Sequence, residues 1–193
     1  LARDGCIAIP RWRHALINFP HPLLKQGLVI LDTPGLNAIG TEPELTLNLL
    51  PNAHAVLFLL AADTGVTKSD IEIWRQHIAP TQAASRARLV VLNKIDGLWD
   101  ELRTPSEIDA EIAKQVASSA ALLDLPAAQV YPVSAHKALV AKVRGDAALL
   151  AKSRLPDLEA ALTQELLPCK QALVSESAQA VVEDVVTKAT ELL

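Results

Sequence analysis

Four short apolar runs, three of which close on a polar residue, limit what this chain can fold into more than any other feature. They are residues 27–31 (GLVIL), ending at Asp32; 55–60 (AVLFLL); 88–92 (RLVVL), ending at Asn93; and 129–133 (QVYPV), ending at Ser134. A run that is apolar at nearly every position suits a strand covered on both faces, as in a parallel sheet. Helical patterns separate the runs: 67–78, with Ile71, Trp74 and Ile78 on one face; 106–123, with Ile108, Ile112, Val116 and Ala120; and 137–152. Alternation of this kind predicts an α/β domain, with helices on both faces of a mostly parallel sheet, and it places ligands beyond the carboxyl ends of the strands.

Outside this frame, residues 12–19 (WRHALINF) read as a strand of moderate character, and Pro20, His21 and Pro22 as a turn. From Leu155 onward no strand signal remains. A short helix is expected over 158–167, and Pro168 interrupts it. A long helix then follows over 171–193, with Val174, Ala178, Val181, Val185 and Leu192 near one face. The division expected is therefore 1–152 for the α/β domain and 153–193 for a C-terminal helical extension that needs partner helices.

Of the 193 residues, 50% are hydrophobic, enough for one full core. The 18 basic and 22 acidic residues leave a net charge of −4, so charge alone will hold neither nucleic acid nor an anionic membrane. Cys6 and Cys169 have no metal-ligand neighbours and read as free thiols of a reducing compartment. The histidines at 14, 21, 54, 77 and 136 show no ligand spacing. No apolar run approaches the ~20 residues a membrane span needs. A cytoplasmic location is expected, at most peripheral to the inner face of a membrane.

Three motifs sit at the ends of the runs. In Asp32-Thr33-Pro34-Gly35, a strand-end carboxylate suits a magnesium ion beside a nucleotide's phosphates. Thr33 belongs to the same nucleotide-contacting loop, and Gly35 lets a backbone N–H approach the terminal phosphate. In Asn93-Lys94-Ile95-Asp96, one carboxylate can accept both adjacent donors of guanine, N1–H and the exocyclic amine, a pair that adenine lacks. The Lys94 stem can lie along the base, and Asn93 can tie neighbouring loops together. In Ser134-Ala135, with Lys137 close by, a loop N–H can meet the guanine carbonyl oxygen. Taken singly, each motif also reads as a turn or a helix cap. Their order, each at a strand end, favours guanine-nucleotide binding.

These residues, with the run PLLKQGLVILDTPGLNAIGTEPELTLNLLPNAHAVLFLLAADTGVTKSDIEIW (22–74) and VVLNKID (90–96), resemble the large GTPases of the dynamin superfamily, especially the bacterial dynamin-like proteins. The resemblance covers about residues 12–150. It implies a three-layer GTPase domain of the P-loop NTPase type, with GTP or GDP and Mg²⁺ as cofactors. It puts Asp32 and Gly35 at magnesium and the terminal phosphate. It puts Asn93, Lys94 and Asp96 at guanine, with Ser134 and Ala135 closing the base pocket. It also implies a homodimer through the GTPase domain, a helical bundle beside it, and membrane remodelling, with lipid contacts in regions beyond these residues. Leu36 stands where small signalling GTPases carry a water-positioning glutamine, so catalysis of that self-contained kind is not expected.

One element of the pattern is absent. The sequence has no G-x-x-x-x-G-K-[ST]; Gly35 and Gly40 have the glycine spacing, but Thr41 and Glu42 follow, placing a carboxylate where phosphates would lie. The chain opens at Leu1 rather than at methionine, so it is expected to be part of a longer protein whose phosphate loop lies upstream. Two other readings compete: a pseudo-GTPase used as an interaction module, and a ribosome-assembly type of GTPase.

Overall fold

A computed structural model describes residues 15–33, 50, 53, 55–79 and 88–166. The chain divides into two compact units, residues 1–31 and 32–193. In the first, one turn of helix, α1 (Pro22–Lys25), starts at His21, whose Nδ1 accepts the Leu23 N–H at 3.3 Å. Gly27, at φ 81°, turns the chain out of it.

The second unit is built on a three-stranded parallel sheet in the order β1 (Val56–Ala61), β2 (Arg88–Asn93), β3 (Val130–Pro132). The α/β class expected from the apolar runs is thus present. β2 is central and its residues from Leu89 to Leu92 are buried, as a strand covered on both faces should be. β1 is only partly covered: Leu59 is 62% exposed. Helix α2 (Lys68–Ile73) follows β1, opened by a Thr67–Asp70 capping box, and passes into a π-helical turn, Trp74–Ile78. Helix α3 (Pro105–Leu123) joins β2 to β3, and buries Ile108, Ile112, Ala120 and Leu123 against the sheet's core cluster. Trp74 is buried in the same cluster; its ring stands 5.3 Å from Phe58, and its Nε1–H donates to the Leu123 carbonyl at 3.1 Å.

After β3 come α4 (Ala135–Arg144), α5 (Ala147–Lys152) and α6 (Leu155–Ala161), with a second π-helical turn over Leu162–Leu166. Among the described residues no helix is long and apolar enough to cross a membrane.

Three expectations about elements need correction. Residues 27–31 form no strand, and Val29, Ile30 and Leu31 are exposed, Val29 by 81%. An apolar run carries strand character only if a neighbouring backbone takes up its N–H and C=O groups, and this one has no ladder partner among the described residues. Residues 15–19 likewise have no regular structure, with Leu16, Ile17 and Phe19 exposed. The helix expected over 137–152 is two helices, because Gly145 closes α4 in the left-handed conformation at φ 70° and Asp146 caps α5. The long helix expected over 171–193, Trp12 and both cysteines lie outside the described residues.

Candidate nucleotide site

Three chain segments leave the carboxyl ends of the strands and converge. The first follows β1. The Thr64 and Gly65 N–H groups donate back to the Ala61 carbonyl at 3.2 and 2.8 Å. Gly65 holds φ 66°, a conformation glycine adopts without a Cβ penalty. This tight turn presents Asp63 at its tip.

The second follows β2. Asn93 ends the strand and Lys94 adopts the left-handed conformation at φ 64°, bending the chain into a 3₁₀ turn, Ile95–Leu98. Ile95 is fully buried and pegs that turn to the core, so Asp96 is held at the rim. The third follows β3. The Val133 N–H donates to the Leu92 carbonyl at 2.9 Å, carrying the pairing one residue past the strand. The chain then enters α4 through Ser134, a fully buried N-cap whose Oγ accepts the Lys137 N–H at 3.2 Å.

Side chains tie the segments together. The Ser134 hydroxyl donates to Asp96 Oδ1 at 2.6 Å. Asn93 Oδ1 accepts two backbone donors, the Lys94 N–H at 2.8 Å and the Ala135 N–H at 3.1 Å. The Lys94 ammonium pairs with Asp63 Oδ2 at 3.2 Å. Ser134 thus uses its one O–H on the carboxylate while a lone pair caps the helix. The short bond to an ionised acceptor fixes the Asp96 rotamer and leaves the carboxylate with further lone pairs for outside donors. A cavity of about 430 Å³ opens here, lined by Asp63, Asn93, Lys94, Asp96, Gly97 and His136.

The structure therefore brings together Asn93, Lys94, Asp96, Ser134, Ala135 and Lys137, which are up to 44 positions apart in the chain. Asp32 and Thr33 are exposed and do not line the cavity. Gly35 and Leu36 lie outside the described residues. The loop donors expected at the guanine carbonyl oxygen are engaged within the protein: the Ser134 N–H donates to the Ser153 carbonyl at 2.9 Å, and the Ala135 N–H to Asn93. Asp63 and His136 were missed as site residues. Asp63 carried the same signal as the others, since it is the first polar residue after the 55–60 apolar run. His136 carried none.

Among the described residues, no group of three or more His, Cys, Asp or Glu side chains could hold a metal. Magnesium commonly takes one or two protein carboxylates, with phosphates and waters completing its shell. The exposed Asp32 fits that modest donor requirement.

Residues 11–95 match the sequence model of the Dynamin family. The chain is 34% identical over 125 residues to a probable transmembrane GTPase, FZO-like and chloroplastic, of Arabidopsis thaliana, a match covering 64% of this chain and 13% of that protein. It is 29% identical over 112 residues to a bacterial dynamin-like protein of Nostoc punctiforme, covering 58% of this chain and 15% of that one. The matches therefore span under a sixth of either relative. Among solved structures, Era in complex with MgGDPNP and nucleotides 1506–1542 of 16S ribosomal RNA matches with a TM-score of 0.40 and 21% identity, over 64% of this chain and 32% of that one.

Proposed function

We propose, for a chain whose residues 11–95 match the Dynamin family model, that the cavity at the strand ends receives the guanine ring of GTP or GDP. The observation that carries this reading is the Asp96 carboxylate, held at 2.6 Å by the Ser134 hydroxyl on the rim of a cavity it shares with Asn93 and Lys94. A fixed carboxylate accepts guanine N1–H and the exocyclic amine together. Adenine offers no such pair and would leave the carboxylate unpaired. Lys94 lies along one wall of the base pocket, and Asn93 locks the Ala135 loop in place. His136, which lines the cavity at the start of α4, adds a first-turn backbone N–H near the base carbonyl.

Asp32 is assigned to magnesium, Thr33 to the nucleotide loop beside it and Gly35 to the terminal phosphate. Asp32 would hold the metal, which would supply positive charge against that developing on the phosphates during transfer. GTP hydrolysis, coupled to self-assembly and membrane remodelling, is proposed for the full-length protein, together with the division into a GTPase domain over 1–152 and a helical segment over 153–193. The lack of a G-x-x-x-x-G-K-[ST] in these residues favours, as a second reading, a nucleotide-free interaction module.

The test is a base swap. In the full-length protein, Asp96→Asn should move preference from GTP to xanthosine triphosphate, whose ring carries an acceptor in place of the amine, by at least about 100-fold. Unchanged GTP selectivity in that variant would remove Asp96 from base recognition. Asp32→Ala should abolish magnesium-dependent hydrolysis while leaving the base preference intact.

A further inference from the structure

Two residues, Ser153 and Arg154, join α5 to α6, and together with Lys152, the last residue of α5, they bond three different segments: the end of the Asp96 turn, the Ser134 loop and α3. Lys152 places its ammonium 4.3 Å from the centroid of the Trp99 ring. Trp99 closes the turn that bears Asp96, with its N–H donating to the Asp96 carbonyl at 3.2 Å. Ser153, fully buried, accepts the Ser134 N–H on its carbonyl at 2.9 Å. Arg154 reaches Asp109 of α3, with Nη2 to Oδ1 at 2.6 Å.

The turn is itself held tightly. The Ser153 hydroxyl donates to the Leu150 carbonyl at 2.5 Å and accepts the Leu155 N–H at 3.3 Å. The Ser153 N–H closes on Leu149 at 2.9 Å. Arg154 sits in the left-handed conformation at φ 57°, unusual for a residue with a long side chain. A strained residue of this kind persists where its surroundings over-determine it, and here the Asp109 ion pair and the backbone bonds do so.

We propose that the Lys152–Ser153–Arg154 turn is the positioning element for guanine recognition, holding the Ser134 loop and the Asp96 turn at the separation their hydrogen bond requires. None of the three residues touches the base. Ser153 sets the depth of the Ser134 loop from beneath. Lys152 steadies the far end of the Asp96 turn. Arg154 anchors both to α3, which runs from β2 to β3. The inference rests on the guanine-binding reading above and extends it to residues outside the cavity.

The experiment compares GDP with inosine diphosphate, which lacks the exocyclic amine and so offers Asp96 one donor instead of two. Dissociation constants are measured on the full-length protein and on Lys152→Ala, Arg154→Ala and Ser153→Ala, with thermal midpoints in parallel. In the unaltered protein GDP should bind more tightly than inosine diphosphate. Each variant should shrink that ratio by about 3-fold or more, the scale of one lost cation–π or charged contact, and Lys152→Arg should restore it. Equal weakening of both nucleotides, or an unchanged ratio in Lys152→Ala and Arg154→Ala, would overturn the positioning role while leaving guanine binding in place. Absence of any GDP preference in the unaltered protein would instead bring down the guanine reading, and the positioning role with it. Should Ser153→Ala not fold, Lys152→Ala and Arg154→Ala still decide the question.

Discussion

Ser134 concentrates three tasks in one buried residue. Its hydroxyl orients Asp96, its lone pair caps α4, and its N–H binds the turn beneath. Ser134→Ala keeps the backbone bond and loses the other two. It should lower unfolding stability by about 1–2 kcal/mol, from the lost cap and the lost buried hydrogen bond, measurable by urea denaturation. It should also weaken GDP binding in the full-length protein, because the carboxylate loses the donor that fixes its rotamer. Trp74 makes a purely structural comparison. Its Nε1–H meets a carbonyl 49 positions away, so a Trp74→Phe variant should lose about 1–3 kcal/mol by the same denaturation, from the orphaned acceptor and the smaller ring, with guanine selectivity unchanged. Asp96, Asn93 and Ser134 were legible because a strand-end residue's location follows from chain order. That Ser134 and Asp96 bond directly was not legible, since it depends on how far two loops lean toward each other.

Helix ends in this chain are written in short polar signals that the structure uses. Thr104 and Glu107 form a capping box at the start of α3, with the Thr104 N–H at 2.8 Å from Glu107 Oε2. That backbone donor and then the Thr104 hydroxyl hold the Glu107 carboxyl below the usual carboxylate range; desolvation opposes them, and the Arg103 charge adds the weakest lowering effect. A depressed folded-state pKa means the capping contribution is fully present at neutral pH. It is lost as pH falls through the lowered value. Protection factors of amides in the first turn of α3, taken against unfolded-chain rates at the same pH, should therefore fall only in acid, and in Glu107→Gln that acid dependence should vanish. The Gly145–Asp146 break was equally visible, as a glycine followed by an N-cap residue, although one helix was expected across 137–152. A Cβ at Gly145 would meet nothing within 4 Å, so Gly145→Ala should cost about 1–2 kcal/mol from the positive φ alone. A drop in thermal midpoint measures it.

For the whole molecule, the segments proposed to read the base are held together at the strand ends, and the sequence holds no G-x-x-x-x-G-K-[ST] to supply a phosphate-loop lysine. Backbone donors and that lysine provide much of the phosphate affinity in such sites. The 193-residue chain by itself should therefore bind GTP weakly and turn none over. Titration calorimetry on it giving micromolar affinity would contradict this. By itself, the sequence determined the α/β class, the strands around Val90 and Val130, the helix ending at Leu123 and the positions of Asn93 and Ser134 at strand ends, because periodicity and strand-end position are local properties of a chain. Tertiary structure alone decided that Val29, Ile30 and Leu31 stay exposed, that Lys94 pairs with Asp63, and that the turn at Ser153 lies under Ser134. Each of those depends on which backbone lies alongside another, and hydrogen bonds between distant segments leave no pattern within either one.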